Sequence, residues 1–182
     1  MSPARPLSEH ALAAPVQRHL EELGYRVWID PDGRDYFDVV ARREEEVGLV
    51  ELKLADGPRV FTQALRRRAW GDWVAVAVAS ERSAERLVQL RTTPLARRVG
   101  IWFVQGDTVE VRRASQPWSG PGAPYEEERR TFRAVLDRLA SGEIPAGVGW
   151  GGVGRMVRRA SGGRGFQEYT IEELTRNDGP DG

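Results

Sequence analysis

The sequence predicts an α/β fold in which helices flank a mixed central β-sheet. Three observations support this prediction. Segments with the composition of short strands alternate with segments of helical periodicity over residues 7–113. The segment 73–79 (WVAVAVA) is apolar throughout, which is typical of a strand buried on both faces in a parallel arrangement. Three strands before it are joined by turns and short polar stretches alone, which favours an antiparallel meander.

Composition sets the class of protein. A chain of 182 residues suits one domain with a small appendage, and 40% hydrophobic with 30% charged residues allows a packed core. The absence of cysteine excludes disulfides, thiolate zinc sites and cysteine nucleophiles, and only two histidines occur, which disfavours an imidazole zinc site. No apolar run approaches the length of a membrane span, and no signal pattern is present. We therefore expect a cytoplasmic protein without a membrane partner.

The elements follow one another in a regular order. Residues 7–23 have the apolar spacing of a helix that ends at Gly24. Pro15 indicates either a separate first turn at 8–14, with the main helix starting at Pro15, or a kink. The turn QGDT between the last two strands predicts a hairpin. Strands are predicted at 25–30, 36–42, 47–55, 73–79, 99–104 and 109–113, and helices at 59–69 and 81–91.

A segment rich in Pro, Gly and Ser, 115–124, marks the predicted domain boundary. The core is therefore predicted to span residues 1–118, and residues 119–182 to form a small helical C-terminal appendage. Within that appendage, residues 125–140 have the periodicity of an amphipathic helix, and residues 147–165 are glycine-rich and basic.

Charge is balanced overall but unevenly distributed. The 27 basic and 27 acidic residues cancel, so net charge gives no signal for nucleic acid. Residues 30–57 hold nine acids and four bases, whereas residues 58–70 and 151–167 each hold four arginines and no acid. An acidic patch flanked by basic ones suits a metal-dependent phosphodiester site. An ordinary solvated surface is the alternative.

A single lysine, Lys53, stands among 26 arginines. Arginine does not replace lysine as a compact point charge. Strand alternation places Glu51 and Lys53 on one face of 47–55, and if 36–42 pairs with it, Asp38 converges with them near one end of the sheet. Two carboxylates so close favour a cation between them, and oxygen ligands suit Mg²⁺ or Mn²⁺. For the tripeptide Glu-Leu-Lys alone, an exposed salt bridge is the alternative.

Polar residues of the first 80 positions occur in a distinctive order. Glu9 lies on the first helix, Asp38 on the second strand, Glu51-x-Lys53 on the third, and Gln63 on the next helix. This order resembles the PD-(D/E)XK nuclease superfamily. The segments SEHALAAPVQRHLEELGYRVW, FDVVARR, LVELKL and TQALRRRAWGDWVAVAVA are similar to a bacterial family of uncharacterised proteins described as PD-(D/E)XK phosphodiesterases. The sequence departs from the pattern at Phe37, where the superfamily nominally has proline.

The resemblance implies a restriction-endonuclease-like core and metal-dependent hydrolysis of phosphodiester bonds, usually in DNA. Asp38 and Glu51 would be ligands of Mg²⁺ or Mn²⁺, with the Leu52 carbonyl as a backbone ligand. Lys53 would position or activate the attacking water. The resemblance also assigns two supporting roles: Glu9 would support the metal directly or through water, and Gln63 would orient the site. For Glu9, an acid favoured by the helix dipole is the alternative.

Five arginines are candidates for phosphate contacts. Arg66 and Arg67 follow Gln63 by one helical turn. The others, Arg155, Arg158 and Arg159, lie on a predicted short helix of the basic segment. For both groups a solvated basic surface is the alternative.

The expected function is thus that of a metal-dependent nuclease, a hydrolase of ester bonds that acts on DNA. Two other classes stay open: a non-catalytic nucleic-acid-binding module on the same fold, and an interaction scaffold whose charged patches face a protein partner. Many members of the superfamily act as dimers, so a homodimer is also open, although the sequence identifies no dimer surface.

Overall fold

The structure is a computed structural model that describes residues 8–30, 37–54, 58–90, 93–118 and 125–144. The helices and strands predicted in these residues are present, with bounds that differ by a few residues. The strands are β1 Arg26–Ile29, β2 Val39–Arg43, β3 Glu46–Lys53, β4 Trp73–Val78, β5 Gly100–Gln105 and β6 Thr108–Arg113. The helices are α1 Ala13–Glu22, α2 Pro58–Arg67, α3 Glu81–Gln89 and α4 Glu126–Ala140, and two 3₁₀ turns span Glu9–Leu12 and Ala96–Arg98.

The six strands form one mixed sheet whose spatial order follows the chain. β1, β2 and β3 are antiparallel neighbours, as are β5 and β6, whereas β3, β4 and β5 are parallel. α2 and α3 form the two parallel connections, because a parallel pair needs a crossover that returns the chain to the same end of the sheet. The predicted mixed sheet flanked by helices is confirmed, with its antiparallel meander and its terminal hairpin.

Both faces of the sheet carry an apolar core. Leu12, Val16 and Leu20, from the first helical segment, are fully buried against one face. The other face is covered by α2, α3 and α4. β4 lies between the two cores, and all of its residues are buried. This confirms the prediction, made from its uninterrupted apolar composition, that the strand is buried on both faces.

The first helical segment consists of the 3₁₀ turn Glu9–Leu12 followed by α1, which begins at Ala13. Pro15 lies in the first turn of α1, where its missing N–H leaves no helical hydrogen bond unmade. A separate first turn therefore forms, as one of the two predicted alternatives had it, but the helix begins at Ala13 and not at Pro15. Its consequence for the site is that Glu9 lies against the end of β3.

Asp72, which directly precedes β4, ties α4 to the sheet. Its Oδ2 accepts a 2.7 Å hydrogen bond from the backbone N–H of Val47, and its Oδ1 accepts one of 2.7 Å from Arg133 Nη2 of α4. Arg129 Nε lies 4.0 Å from the same Oδ1, and both Asp72 and Arg129 are buried. One carboxylate therefore holds a strand and a helix that are distant in sequence.

The predicted appendage, 119–182, includes a helix that contributes to the main core. Phe132 and Leu136 of α4 are fully buried and pack in the same core as α2 and α3. The glycine-rich basic segment 147–165 lies outside the described residues. In the part of the chain that is described, none of the helices combines the length and the apolar character needed to cross a bilayer.

Candidate active site

Asp38, Glu51 and Lys53 lie together at one end of the sheet, where Asp38 directly precedes β2 and the other two residues lie on β3. Val39 of β2 pairs with Val50 of β3, so Asp38 lies directly opposite Glu51. Val50 packs in the core beneath α1. Because side chains alternate along a strand, Glu51 and Lys53 project from the opposite face, the one that α2 covers.

Asp38 is partly buried and is bound to the neighbouring strand. Its Oδ2 accepts a 2.8 Å hydrogen bond from the backbone N–H of Leu52. Burial, followed by the negative charge of Glu51, raises the pKa of Asp38 from 3.8 to about 6, against the opposing effects of the Leu52 N–H and the charges of Lys53 and Arg67. The two carboxylates therefore repel each other, and a cation between them would relieve that repulsion.

Glu51 is buried, with only 4% of its surface exposed, and has cationic partners. Lys53 Nζ lies 3.6 Å from Glu51 Oε1. The side chain of Lys53 is 18% exposed, which places its ammonium group at the margin between the core and solvent. A carboxylate buried to this degree requires counter-charge, and Lys53 supplies part of it.

Glu9 also contacts the lysine. Its Oε2 lies 3.6 Å from Lys53 Nζ, and its Oε1 accepts a long hydrogen bond, 3.4 Å, from the backbone N–H of Leu54. Glu9 is half exposed and stands in the first turn of its 3₁₀ segment. Glu9 thus lies near a helix start and beside Lys53, and its role in the site stays a prediction. Its nearest charged contact in the site is Lys53.

Arg67, predicted as a phosphate contact, pairs with Glu51. Its Nε lies 3.1 Å from Glu51 Oε2 and its Nη2 lies 3.5 Å from Oε1, so the guanidinium donates to both carboxylate oxygens. The guanidinium carbon also lies 5.5 Å from the centre of the Phe37 ring. Sequence reasoning missed this ion pair. The available signal was that Arg67 follows Gln63 by one helical turn, which placed it near the site without naming its partner.

The other predicted contacts lie farther out or outside the described residues. Gln63 and Arg66 are exposed on α2. Arg59, one turn before Gln63, is exposed as well, so these three side chains form a polar flank of the helix that carries Arg67. The remaining predicted phosphate contacts, Arg155, Arg158 and Arg159, lie outside the described residues.

The oxygen donors that this site offers to a cation are two carboxylates. Within the described residues, no group of three or more His, Asp or Glu side chains is placed to hold a metal ion. Asp38 and Glu51 are the two carboxylates that the site brings together, and the charge of Glu51 contributes to the raised pKa of Asp38. Mg²⁺ is characteristically held by one or two carboxylates with water completing its octahedron. The predicted Leu52 carbonyl belongs to the same stretch of β3.

This fold is similar to that of a solved structure. SPO1766, a protein of unknown function from Silicibacter pomeroyi, superposes with a TM-score of 0.51 and 20% sequence identity over 79% of this chain and 97% of that chain. At this identity the likeness supports the fold alone. No protein-family model matches the sequence, and no curated protein matches it.

Proposed function

We propose that this protein is a divalent-metal-dependent nuclease that hydrolyses phosphodiester bonds in DNA. One observation carries the proposal: the carboxylate of Asp38, which directly precedes β2, lies beside Glu51 and Lys53 of β3. Two acids and a lysine at the end of a sheet form a constellation suited to metal-assisted hydrolysis. The resemblance to PD-(D/E)XK nucleases supports the same conclusion.

Asp38 and Glu51 would hold Mg²⁺ or Mn²⁺, with the Leu52 carbonyl as a backbone ligand. When bound, the metal polarises a phosphate oxygen and lowers the pKa of a coordinated water. The N–H of Leu52 orients the Asp38 carboxylate, so this group is positioned before any ligand arrives. Lys53 provides a compact cation next to Glu51, suited to orient the attacking water and to stabilise negative charge that develops at phosphorus.

Glu9 and Gln63 have supporting roles in this proposal. Glu9 holds the Lys53 ammonium between two carboxylates, its own and that of Glu51, and so directs it toward the site. Gln63 lies one turn before Arg67 on α2. Its exposed amide is suited to contact a bound substrate, or to orient the site as the family resemblance implies.

The exposed flank of α2 supports nucleic acid as the substrate. Arg59, Gln63 and Arg66 share this flank, and α2 has no acidic residue among Pro58–Arg67. Arginine and amide side chains of this kind bind phosphate oxygens, and such contacts position a nucleic acid without selecting its sequence. The flank belongs to the helix that delivers Arg67 to Glu51, so phosphates bound there would lie beside the candidate site.

One observation favours a second candidate, a non-catalytic nucleic-acid-binding module. Lys53 and Arg67 both contact Glu51, so the charge of this carboxylate is compensated without a metal. A binding module needs the basic flank of α2 but not the acids. It therefore predicts DNA binding that is indifferent to chelators and to Lys53→Ala.

Cleavage by the purified full-length chain tests the proposal. Labelled single-stranded, duplex, flap and four-way-junction DNA are incubated with Mg²⁺ or Mn²⁺, and with a chelator as the metal-free control. Lys53→Ala is assayed in parallel, and Arg86→Ala, an exposed arginine on α3, is the matched control for loss of a surface cation. Binding of the same DNA is measured at low and high salt.

We expect metal-dependent cutting that Lys53→Ala abolishes and Arg86→Ala retains. Salt-dependent binding without cutting, unchanged by the chelator and by Lys53→Ala, would establish the binding module instead. The absence of both cutting and salt-dependent DNA binding would favour the interaction scaffold.

A further inference from the structure

The Glu51 carboxylate is already engaged by a residue of the chain at both of its oxygens. Arg67 Nε lies 3.1 Å from Oε2, and Arg67 Nη2 lies 3.5 Å from Oε1. We propose that Arg67 is an internal counter-ion that competes with a divalent cation for Glu51, so that Arg67 lowers the metal affinity of the site. This inference rests on the metal site of the proposed function.

The environment of the Arg67–Glu51 pair strengthens the hold of Arg67 on the carboxylate, so that Arg67 competes strongly with a metal ion. The side chains of Arg67 and Glu51 are only 12% and 5% exposed, so water weakens their attraction less than it would at the surface. A guanidinium that faces both oxygens of a carboxylate has the geometry of the strongest protein ion pairs. The Phe37 ring, 5.5 Å from the guanidinium carbon, adds a second favourable contact.

A metal ion and Arg67 compete for the negative charge of Glu51. A divalent cation coordinates the carboxylate oxygens directly, and those oxygens accept the Arg67 hydrogen bonds. Two cations at one buried carboxylate also repel each other. Binding of the metal therefore weakens the Arg67–Glu51 pair, and by linkage the pair weakens metal binding by the same factor.

Lys53 does not replace Arg67 in this role. Its Nζ lies 3.6 Å from Glu51 Oε1 and at the same distance from Glu9 Oε2, so its charge is shared between two acids. Loss of Arg67 would therefore leave Oε2 of Glu51 without its 3.1 Å partner, while Lys53 remains beside Oε1. The freed oxygen is the one that becomes available to a metal.

Calorimetric titration of the full-length protein with Mn²⁺ alone tests the inference without an activity assay. Two variants remove the positive charge of Arg67 and differ in the side chain that replaces it. Arg67→Gln introduces a polar side chain, and Arg67→Met keeps an apolar chain near Phe37. Arg66→Gln is the matched control, because it removes the adjacent, exposed arginine of the same helix. An opposite charge within a few ångströms changes a carboxylate's affinity for a proton by about 10- to 1000-fold, and we expect Mn²⁺ to bind at least about tenfold more tightly to both Arg67 variants.

Thermal unfolding distinguishes this role from a merely structural one. Without metal, the Arg67 variants are expected to unfold at lower temperature than the wild type, because a buried carboxylate has lost a counter-charge. Their rise in Tm on addition of Mn²⁺ is expected to exceed that of the wild type and of Arg66→Gln. A residue that only stabilises the fold would lower Tm equally with and without Mn²⁺, and that result would overturn the inference.

The outcomes separate this inference from the function on which it rests. If wild type binds Mn²⁺ and a folded Arg67→Gln or Arg67→Met binds it with the same or lower affinity, the inference is wrong and the metal site stands. If neither wild type nor any variant binds Mn²⁺, the metal site of the proposed function is wrong, and the inference falls with it.

Discussion

The carboxylate of Asp38 accepts a 2.8 Å hydrogen bond from the backbone N–H of Leu52, the residue between Glu51 and Lys53. An acid that precedes one strand is thus fixed against the next strand, beside the other charged groups of the site. The bond orients Asp38 although burial and Glu51 disfavour its ionised form. A neutral residue at position 38 would not repel Glu51. The carboxylate of Asp38 therefore lowers the stability of the fold while it is held in a fixed orientation at the site.

Asp38→Asn is expected to change the pH dependence of stability. The pKa of Asp38 is raised from 3.8 to about 6 in the folded protein, so the stabilisation present below about pH 4 is lost as pH rises through about 6. The loss amounts to at most about 3 kcal/mol, at about 1.4 kcal/mol per unit. Asparagine has no such loss, and its carbonyl still accepts from Leu52. Urea unfolding is measured in the presence of a chelator. The free energy of unfolding of the variant should rise relative to that of the wild type between about pH 4 and about pH 8.

The control for this experiment is Asp107→Asn, which removes an exposed carboxylate on the β5–β6 turn. Its stability relative to the wild type should vary little over the same pH range. A constant difference between Asp38→Asn and the wild type would show that Asp38 titrates as an ordinary exposed acid.

Mn²⁺ is expected to stabilise the wild type but not Asp38→Ala. A ligand at a hundredfold excess over its dissociation constant adds about 2.7 kcal/mol, which for a chain of this size raises Tm by roughly 5–10 °C. Removal of Asp38 leaves Glu51 as the single proposed carboxylate ligand, and the shift should be lost. Asp137→Ala, which removes an exposed acid of α4, should respond like the wild type. Equal shifts in Asp38→Ala and the wild type would refute the site assignment.

Lys53→Arg is expected to stop cleavage while leaving the fold intact. Arginine keeps the positive charge between Glu9 and Glu51, so thermal unfolding should change little. Its larger, planar head group does not reproduce a compact cation. We expect the rate on any DNA that the wild type cuts to fall by about a hundredfold or more. Arg86→Lys on α3 is the control, and wild-type rates in Lys53→Arg would mean that the lysine is not required.

Asp72→Asn is expected to loosen α4 from the sheet. The substitution leaves Arg133 without its 2.7 Å ion pair and removes a negative charge 4.0 Å from Nε of the buried Arg129. Breaking a buried pair from one side costs about 3–5 kcal/mol. Denaturant unfolding should report that loss. Asp137→Asn, which breaks the more exposed pair with Arg42, should cost about 1 kcal/mol or less.

Local patterns determined most of the fold. The uninterrupted apolar run of β4 predicted a central parallel strand, and turns between the first three strands predicted their antiparallel order; both are confirmed. Gly48 shows the limit of such patterns. A Cβ atom at this position would overlap the Trp73 ring of the neighbouring strand. The requirement for glycine arises from a close approach between strands, which no local pattern of residues encodes.

For the site, alternation along β3 by itself determined that Glu51 and Lys53 share a face, and the types of residue indicated Asp38 as their companion. Only the tertiary structure decided that Glu9 contacts Lys53, that Arg67 pairs with Glu51, and that Asp72 anchors α4. These contacts join residues between 16 and 61 positions apart. Periodicity reports the direction of a side chain within its own element, whereas an ion pair depends on the distance between elements, which packing alone sets.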